Sequence, residues 1–519
     1  MLPVCAFRGA LEDVHLAIRG AWLTDSSQKI SGLNLAGKLR FLLRDATLYG
    51  VAGAISKAFA LITFPLLARH FSVQEYGVLD YFLVLAGLLA IVFVFGQDSA
   101  VARYFYEHES RDDRQQLISQ SLVFQLGGVV LLLPILWLSA GWVTGMLIDA
   151  ADRVLLYKII LVQLPFLLLI NFSQNLLKWT FARARFLMMS LGYTVVHASL
   201  LVVAVLVFDV GVVGVLAVSL ATSFLFGLLG LFFVREWLVR PREFGRLREM
   251  LPFAAPYGVI CVVGSFSPVL ERTLTDSLLG VESLGLYAAA SKLAMLMSLF
   301  VSAFQIAWGP FSLSLYKQAD SGQTYNWVFK IFTLTVCLAA LALALLAPPL
   351  LTFLATDRYI GALVVVFPLA MGLAIQAAGW VSELGITISK RAYLNLYAYA
   401  VSVLLTLGAI LVFTPALGLL GVGLGVLVGQ IAKAVVASWL AQRAYPLPWA
   451  YKPVIIVMIT TLIGGLLSNW ALQQFGVWIG SIFYIASIFL VVSLGWLVLL
   501  TQDERVRVGA LLNQVRTRG

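Results

Sequence analysis

Residues 252–310 read PFAAPYGVICVVGSFSPVLERTLTDSLLGVESLGLYAAASKLAMLMSLFVSAFQIAWGP. Two apolar runs, each long enough to cross a bilayer, are joined here by a polar elbow, DSLLGVESLG, with Glu271 and Arg272 just ahead of it. A charge at mid-bilayer costs roughly 2.5 to 3.5 kcal/mol unless it faces protein or water, and less near the edge. The stretch therefore predicts two membrane helices that line an aqueous cavity.

The same unit occurs earlier in the chain. A shift of 208 places Tyr49-Gly50-Val51 on Tyr257-Gly258-Val259, Val73 on Val281, Gly77 on Gly285 and Gln97 on Gln305, without a gap. Near the end of each half, Gly211-Val-Val-Gly214 answers Gly418-Leu-Leu-Gly421 at a shift of 207. The chain reads as a duplicated helical unit.

Composition sets the class. With 61% apolar and 12% charged residues over 519, the chain reads as a polytopic membrane protein, far from an ordinary soluble one. Apolar runs of about 20 residues, the length that crosses the hydrocarbon core, fall near 46–67, 78–97, 117–140, 154–176, 187–208, 212–234, 253–275, 286–309, 328–347, 361–381, 394–413, 417–440, 454–474 and 477–500. The fold class expected is an all-α polytopic membrane protein of fourteen transmembrane helices. Six spans in each half make the two halves parallel repeats related by an axis along the membrane normal. They form two six-helix lobes around a central cavity, with two helices added at the C-terminus. The divisions are 1–44, an N-terminal extension; 45–240, the first lobe; 241–453, the second; and 454–519, the terminal pair and tail.

The net charge of +10 follows the membrane and needs no nucleic acid to explain it. With a cytoplasmic N-terminus, 27 of the 35 Lys and Arg lie on the inner side, four on the outer (Arg69, Arg153, Lys158, Arg358) and four within spans (Lys57, Arg272, Lys292, Lys433). That bias places both termini in the cytoplasm. Cys5, Cys261 and Cys337 show no pairing spacing and read as inert packing residues.

Residues 1–44 lack the pattern of a cleaved signal. Leu11, Val14, Ile18 and Trp22 recur at helical spacing, so this segment is either a short helix on the inner leaflet or a disordered extension. Gly32-Leu-Asn-Leu-Ala-Gly37-Lys38 approaches a phosphate-binding loop, but Leu39 stands where Ser or Thr would hold magnesium and no strand precedes it. The longest internal connection, REWLVRPREFGRLREM from Arg235, carries five Arg and three Glu between the lobes. No loop is large enough for a catalytic domain, and no His, Cys and carboxylate cluster has metal spacing. An enzyme is not expected, and neither is a cofactor or a metal.

Several charged residues carry the functional reading. Lys57 lies about eleven residues from either end of the first span, roughly 16 Å. It is either a buried partner of a carboxylate such as Asp80 or a cavity cation for an anionic substrate. Arg272 has Asp276 at i+4 and either pairs with it or faces the cavity. Glu271 continues a small, polar stripe of Gly264, Pro268 and Thr275, as a water-facing wall would. Pro252, Pro256, Gly258, Gly264 and Pro268 make span seven either a hinge or a fixed kink. Lys292 is near enough to its outer end to reach the interface. Ser291, Ser298, Ser302 and Gln305 share one face, as helix-to-helix hydrogen bonds or as groups facing a sugar. Arg103, Lys178, Arg183 and Arg185 gather at inner helix ends, where they anchor topology or collect a pyrophosphate.

The run ERTLTDSLLGVESLGLYAAASKLAMLMSLFVSAFQIAWGPF, an acidic-Arg pair followed by Gly, Gly-x-Tyr and a helix closing on Trp-x-Pro-Phe, resembles the Wzx-type polysaccharide-biosynthesis flippases. The run LYGVAGAISKAFALITFPLLARHFSVQEYGVLDYF is similar to the start of the same proteins, and the likeness covers everything after residue 44. It extends to the wider multidrug, oligosaccharidyl-lipid and polysaccharide exporter superfamily. The resemblance implies fourteen spans, a bacterial cytoplasmic membrane, and transfer of undecaprenyl-pyrophosphate-linked oligosaccharide from the inner to the outer leaflet, coupled to a proton or sodium gradient. Polysaccharide polymerase machinery is the protein partner it implies. Substrate-binding candidates are Lys57, Arg272, Lys292 and Arg103; coupling candidates are Glu271, standing where Asp is commoner, and Asp80. The alternative is a multidrug and toxin extrusion antiporter, which would need acidic rather than basic deep charges.

Overall fold

The computed structural model describes residues 62–150, 152–316, 318 and 321–499, and no strand occurs among them. Residues 62–70 are helical and close the first span, most of which, with Lys57, lies outside the described residues. The first half then holds α1 (Val73–Val94), α2 (Gln97–Glu107), α3 (Arg111–Leu138), α4 (Ala140–Leu147), α5 (Arg153–Trp179), α6 (Arg183–Leu206) and α7 (Val212–Val234). The second holds α8 (Gly245–Leu279), α9 (Val281–Leu315), α10 (Ser321–Leu354), α11 (Leu363–Ser382), α12 (Leu384–Ile388), α13 (Leu394–Leu417) and α14 (Leu419–Ala444). The chain ends on α15 (Tyr451–Phe475) and α16 (Val477–Leu494).

Thirteen helices among the described residues are long and apolar enough to cross a membrane, and they fall in order on spans two to fourteen. Large apolar side chains stand outward on them, Leu138 at 86% exposure and Trp478 at 87%. A water-soluble monomer does not carry such a surface over its whole girth; lipid does the covering here.

The elbow between spans seven and eight differs from expectation. Its polar residues are helical, and α8 and α9, 35 residues each, meet at Gly280 alone. Gly280 has φ +83, a conformation open to glycine without steric cost, so one residue reverses the chain. A 35-residue helix is about 50 Å long, well beyond the ~30 Å hydrocarbon layer. Each helix therefore has length to spare beyond the core, and Arg272 lies eight residues before the turn, about 12 Å along α8. Pro252, Pro256 and Pro268 are accommodated within one continuous α8.

The linker is shorter than its composition suggests. Only 238–244 lies between a 3-10 turn at Arg235–Trp237 and α8, and the start of α3 holds it down. Ser119 accepts from the Val239 amide at 2.9 Å, Gln116 from the Arg242 amide at 3.2 Å, and Asp113 from Arg246 at 2.6 Å.

In the first lobe α7 packs on α5 and α6; in the second α14 packs on α13 and α11. The terminal pair lies against α10 and α11, where Asn469 donates to the Val364 carbonyl at 2.7 Å. The lobes meet where α1 packs on α8 and α9, and where α2 and α3 pack on α8. Glycines set those approaches. A Cβ on Gly285 would clash with the Val73 carbonyl, and one on Gly96, at φ +71, would lie 2.6 Å from the Gly258 nitrogen. Small residues let backbones approach this closely in a membrane, where helix association has little hydrophobic drive.

Candidate functional site

The junction of α1 with α8 and α9 concentrates charge. Ser72 caps α1, accepting from the Glu75 amide while Glu75 reaches back to the Ser72 amide, and this fixes the start of the helix. Two turns later Asp80 points between the lobes and is 1% exposed. Arg272 from α8 donates to its Oδ2 through Nε at 2.8 Å, with a second guanidinium nitrogen also at 2.8 Å. Lys292 from α9 places its ammonium 3.0 Å from Oδ1. Oδ1 has no aligned hydrogen-bond partner among the described residues, and Lys292 remains 25% exposed. Lys292 is the looser of the two ties.

Glu271 is held beside them. Tyr287 donates to its Oε2 at 2.7 Å and Ser267 to its Oε1 at 2.8 Å. The junction thus brings two acidic and two basic side chains together, an arrangement in which buried charges can be paired.

Several sequence expectations change here. Arg272 does not use Asp276 at i+4; it reaches across to Asp80 and donates to the Pro268 carbonyl at 3.1 Å. Asp276 instead accepts from the Asp149 amide at 3.1 Å. Lys292 turns to Asp80 rather than to the interface. Of the small polar stripe, Glu271 and Thr275 are buried, whereas Gly264 and Pro268 are half-buried. Ser298 and Ser302 donate to carbonyls of their own helix. Arg103 stands apart at the other end of the first lobe, paired with Glu107 at 3.1 Å and stacked over Phe253 at 4.6 Å. Arg185 binds Glu236 at 2.6 Å, and Lys178 donates to Asn175 at 3.2 Å.

A second charged place lies within the second lobe. Lys433 of α14 is 5% exposed and its ammonium has no hydrogen-bond partner among the described residues. It sits 3.9 Å from the Tyr399 ring centre and 5.9 Å from that of Trp380, cation-π contacts that replace part of its hydration. Glu383, just past the end of α11, feels its charge; burial nevertheless pushes the Glu383 carboxyl up to about 7. In the sequence Lys433 is only a charge within a span, because nothing in the spacing joins it to residues 34 to 53 positions earlier. Tyr287 was visible only as part of a Gly-x-Tyr motif.

A family model described as "Polysaccharide biosynthesis protein" matches residues 42–315. An uncharacterised membrane protein of Haemophilus influenzae is 24% identical over 345 residues, 64% of this chain and 81% of that one. Among solved structures, the lipid II flippase MurJ in an inward closed conformation superposes with a TM-score of 0.66 at 14% identity, covering 86% of this chain and 98% of that one. An inward-facing multidrug resistance MATE family transporter of the MOP superfamily gives a TM-score of 0.61 at 16% identity, over 77% and 94%.

Proposed function

Since the chain belongs to the polysaccharide biosynthesis protein family, whose model matches more than half of it, we propose that it is a flippase moving undecaprenyl-pyrophosphate-linked oligosaccharide from the inner to the outer leaflet of a bacterial cytoplasmic membrane. The observation that carries this reading is the Asp80–Arg272–Lys292 cluster. It is buried, it joins the two lobes, and it holds two cations on one carboxylate.

The cluster acts as a lock between lobes. While Asp80 is ionised it neutralises Arg272 and Lys292 and holds α1 against α8 and α9. A proton on Asp80, or a phosphate that competes for the cations, releases α1, so that lobe separation depends on substrate or on the ion gradient. Glu271 is the second carboxylate at the junction and shares the coupling role. The pyrophosphate needs fixed cations to pass an apolar layer; Lys57, Arg272 and Lys292 supply them along the route, with Arg103 at the cytoplasmic mouth. The termini lie in the cytoplasm, and the product is handed to polymerase machinery. The protein acts by alternating access and is not an enzyme.

The test is reconstitution in liposomes with lipid-linked oligosaccharide and an imposed gradient, reading sugar accessibility at the far leaflet. Gradient-dependent transfer that fails in Arg272→Ala supports the reading. Efflux of organic cations without lipid transfer favours the antiporter alternative and overturns it.

A further inference from the structure

We propose that span two is a hinge at Phe95 and Gly96, bent where α8 closes on the first lobe and straight, as its repeat α9 is, when that closure opens. The proposal takes its two states, inner side shut and inner side open, from the flippase reading. Its observations are separate from the lock at Asp80.

The repeat shows both forms of the same unit. A shift of 208 carries the ends of span two, Val73 and Glu107, onto the two ends of α9, Val281 and Leu315. The copy in the second lobe is a single helix of 35 residues. The copy in the first lobe stops at Val94 and starts again at Gln97, because Phe95 and Gly96 are both left-handed, at φ +43 and +71. Glycine adopts that conformation freely, whereas phenylalanine does so at a cost, its Cβ crowding the following carbonyl. Proline, the usual cause of a sharp kink, does not account for the break, since the sequence from Val94 reads VFGQDS. The equivalent positions, 303–304, stay helical in α9.

The bent form is held by α8. The two residues of the break are the two that α8 touches: a Cβ on Gly258 would lie 2.8 Å from the Phe95 carbonyl, and one on Gly96 would lie 2.6 Å from the Gly258 nitrogen and against the Ala254 carbonyl. Past the break, α2 follows the start of α8. Tyr104 donates to the Glu249 carbonyl at 3.3 Å, and its ring meets that of Phe253 edge-on at 6.3 Å. The first lobe therefore meets α8 at two levels, here and at Asp80. Ala254, Gly258, Cys261, Ser265 and Arg272 recur at helical spacing along the face between them. Ala254 and Arg272 are buried at its ends, while Cys261 in the middle is exposed, with the Asp98 carboxylate of α2 in electrostatic reach. Closure of α8 at the level of Gly258 thus coincides, residue for residue, with the break. Withdrawing α8 removes the contacts that offset the left-handed Phe95, and span two then gains by running through, a change between two discrete arrangements.

The test reads the length of span two. Spin labels on Gln74→Cys and Glu107→Cys, in purified full-length protein with Cys5, Cys261 and Cys337 replaced by alanine, report the distance between its ends; the surface pair that Glu107 makes with Arg103 contributes little. A straight helix of this length measures about 50 Å, and the bent one less. Gly258→Leu keeps α8 off the break and is expected to raise the ratio of long to short distances about tenfold, although span two itself is unaltered. Gly96→Ala, which penalises the left-handed conformation, does the same. Gly87→Ala, with nothing within 4 Å of its Cβ position, leaves the ratio unchanged. Where Gly258→Leu fails to fold, Phe95→Gly carries the test: it removes the cost of the bend and shortens the distance relative to Phe95→Ala, which removes the ring alone. A distance unmoved by Gly258→Leu and Gly96→Ala, or equal in Phe95→Gly and Phe95→Ala, overturns the hinge. Transfer of lipid-linked oligosaccharide by a protein whose span two keeps one length removes the hinge and leaves the flippase standing; a span two that changes length without transfer does the reverse.

Discussion

Arg272 and Asp80 join the two lobes across 192 residues of chain, with Nε at 2.8 Å from Oδ2 and almost no solvent at either end. Removing one partner of a buried pair strands the other, at a cost of about 3 to 5 kcal/mol. Asp80→Asn strands two cations at once and is expected to lower the melting temperature of the purified protein sharply. Arg272→Gln alone should also destabilise it. The double variant should lose less than the sum of the singles, by about 0.5 to 3 kcal/mol of coupling. Strict additivity in this cycle refutes the pairing.

Backbone contact at the same junction makes a second prediction. Gly77 and Gly285 occupy equivalent places in the repeat, and a Cβ on Gly77 would lie 2.6 Å from the Gly285 nitrogen. Gly285→Ala forces α1 away from α9, and overpacking of this kind costs about 1 to 3 kcal/mol. Gly87 sits on the same helix with nothing within 4 Å of its Cβ position, so Gly87→Ala should be neutral or stabilising. Comparing the two melting curves separates lobe contact from helix propensity.

The spans were legible because hydropathy is a local property, and each apolar run from the second onward became a helix in the place expected. The elbow was misread for the opposite reason. Asp276, Ser277, Glu282 and Ser283 look like a loop by composition, but in helices far longer than the bilayer they sit in terminal turns that suit polar groups. Partner choice was the harder problem: the i+4 rule offered Arg272 only Asp276, whereas its true partner depends on how the lobes dock. Gly77 and Gly285 are repeat equivalents in the sequence, but a repeat carries no statement that its two copies touch. Lys433 and Glu383 stayed separate for the same reason, being brought together only by the packing of α11 on α14.

Glu383 gives a pH dependence. Its carboxyl is raised from 4.5 to about 7 by burial, with Lys433 opposing. A raised carboxyl titrates at the expense of the fold: the protonated form costs nothing below about 4.5, the charged form is penalised increasingly as pH rises through about 7, and the penalty is then constant. Glu383→Gln abolishes the titration. Its melting temperature should match wild type near pH 4.5 and exceed it near pH 8; a constant difference at both refutes the assignment.

Lys433 tests whether the second lobe uses its buried cation. A charge held by Tyr399 and Trp380 rings, with no hydrogen-bond acceptor among the described residues, is less stable than a methionine of similar volume would be in the same place, so Lys433→Met is expected to keep or raise the melting temperature. The same change deprives Glu383 of the cation that lowers its carboxyl, and the pH window of that titration should move upward in the Met background. If the ammonium serves an anionic substrate, transfer of lipid-linked oligosaccharide falls by tenfold or more, about 1.4 kcal/mol, in this stable variant and returns partly in Lys433→Arg, which keeps the charge over the rings. Stability and transport thus move in opposite directions. Full transport by Lys433→Met assigns the cation to packing alone.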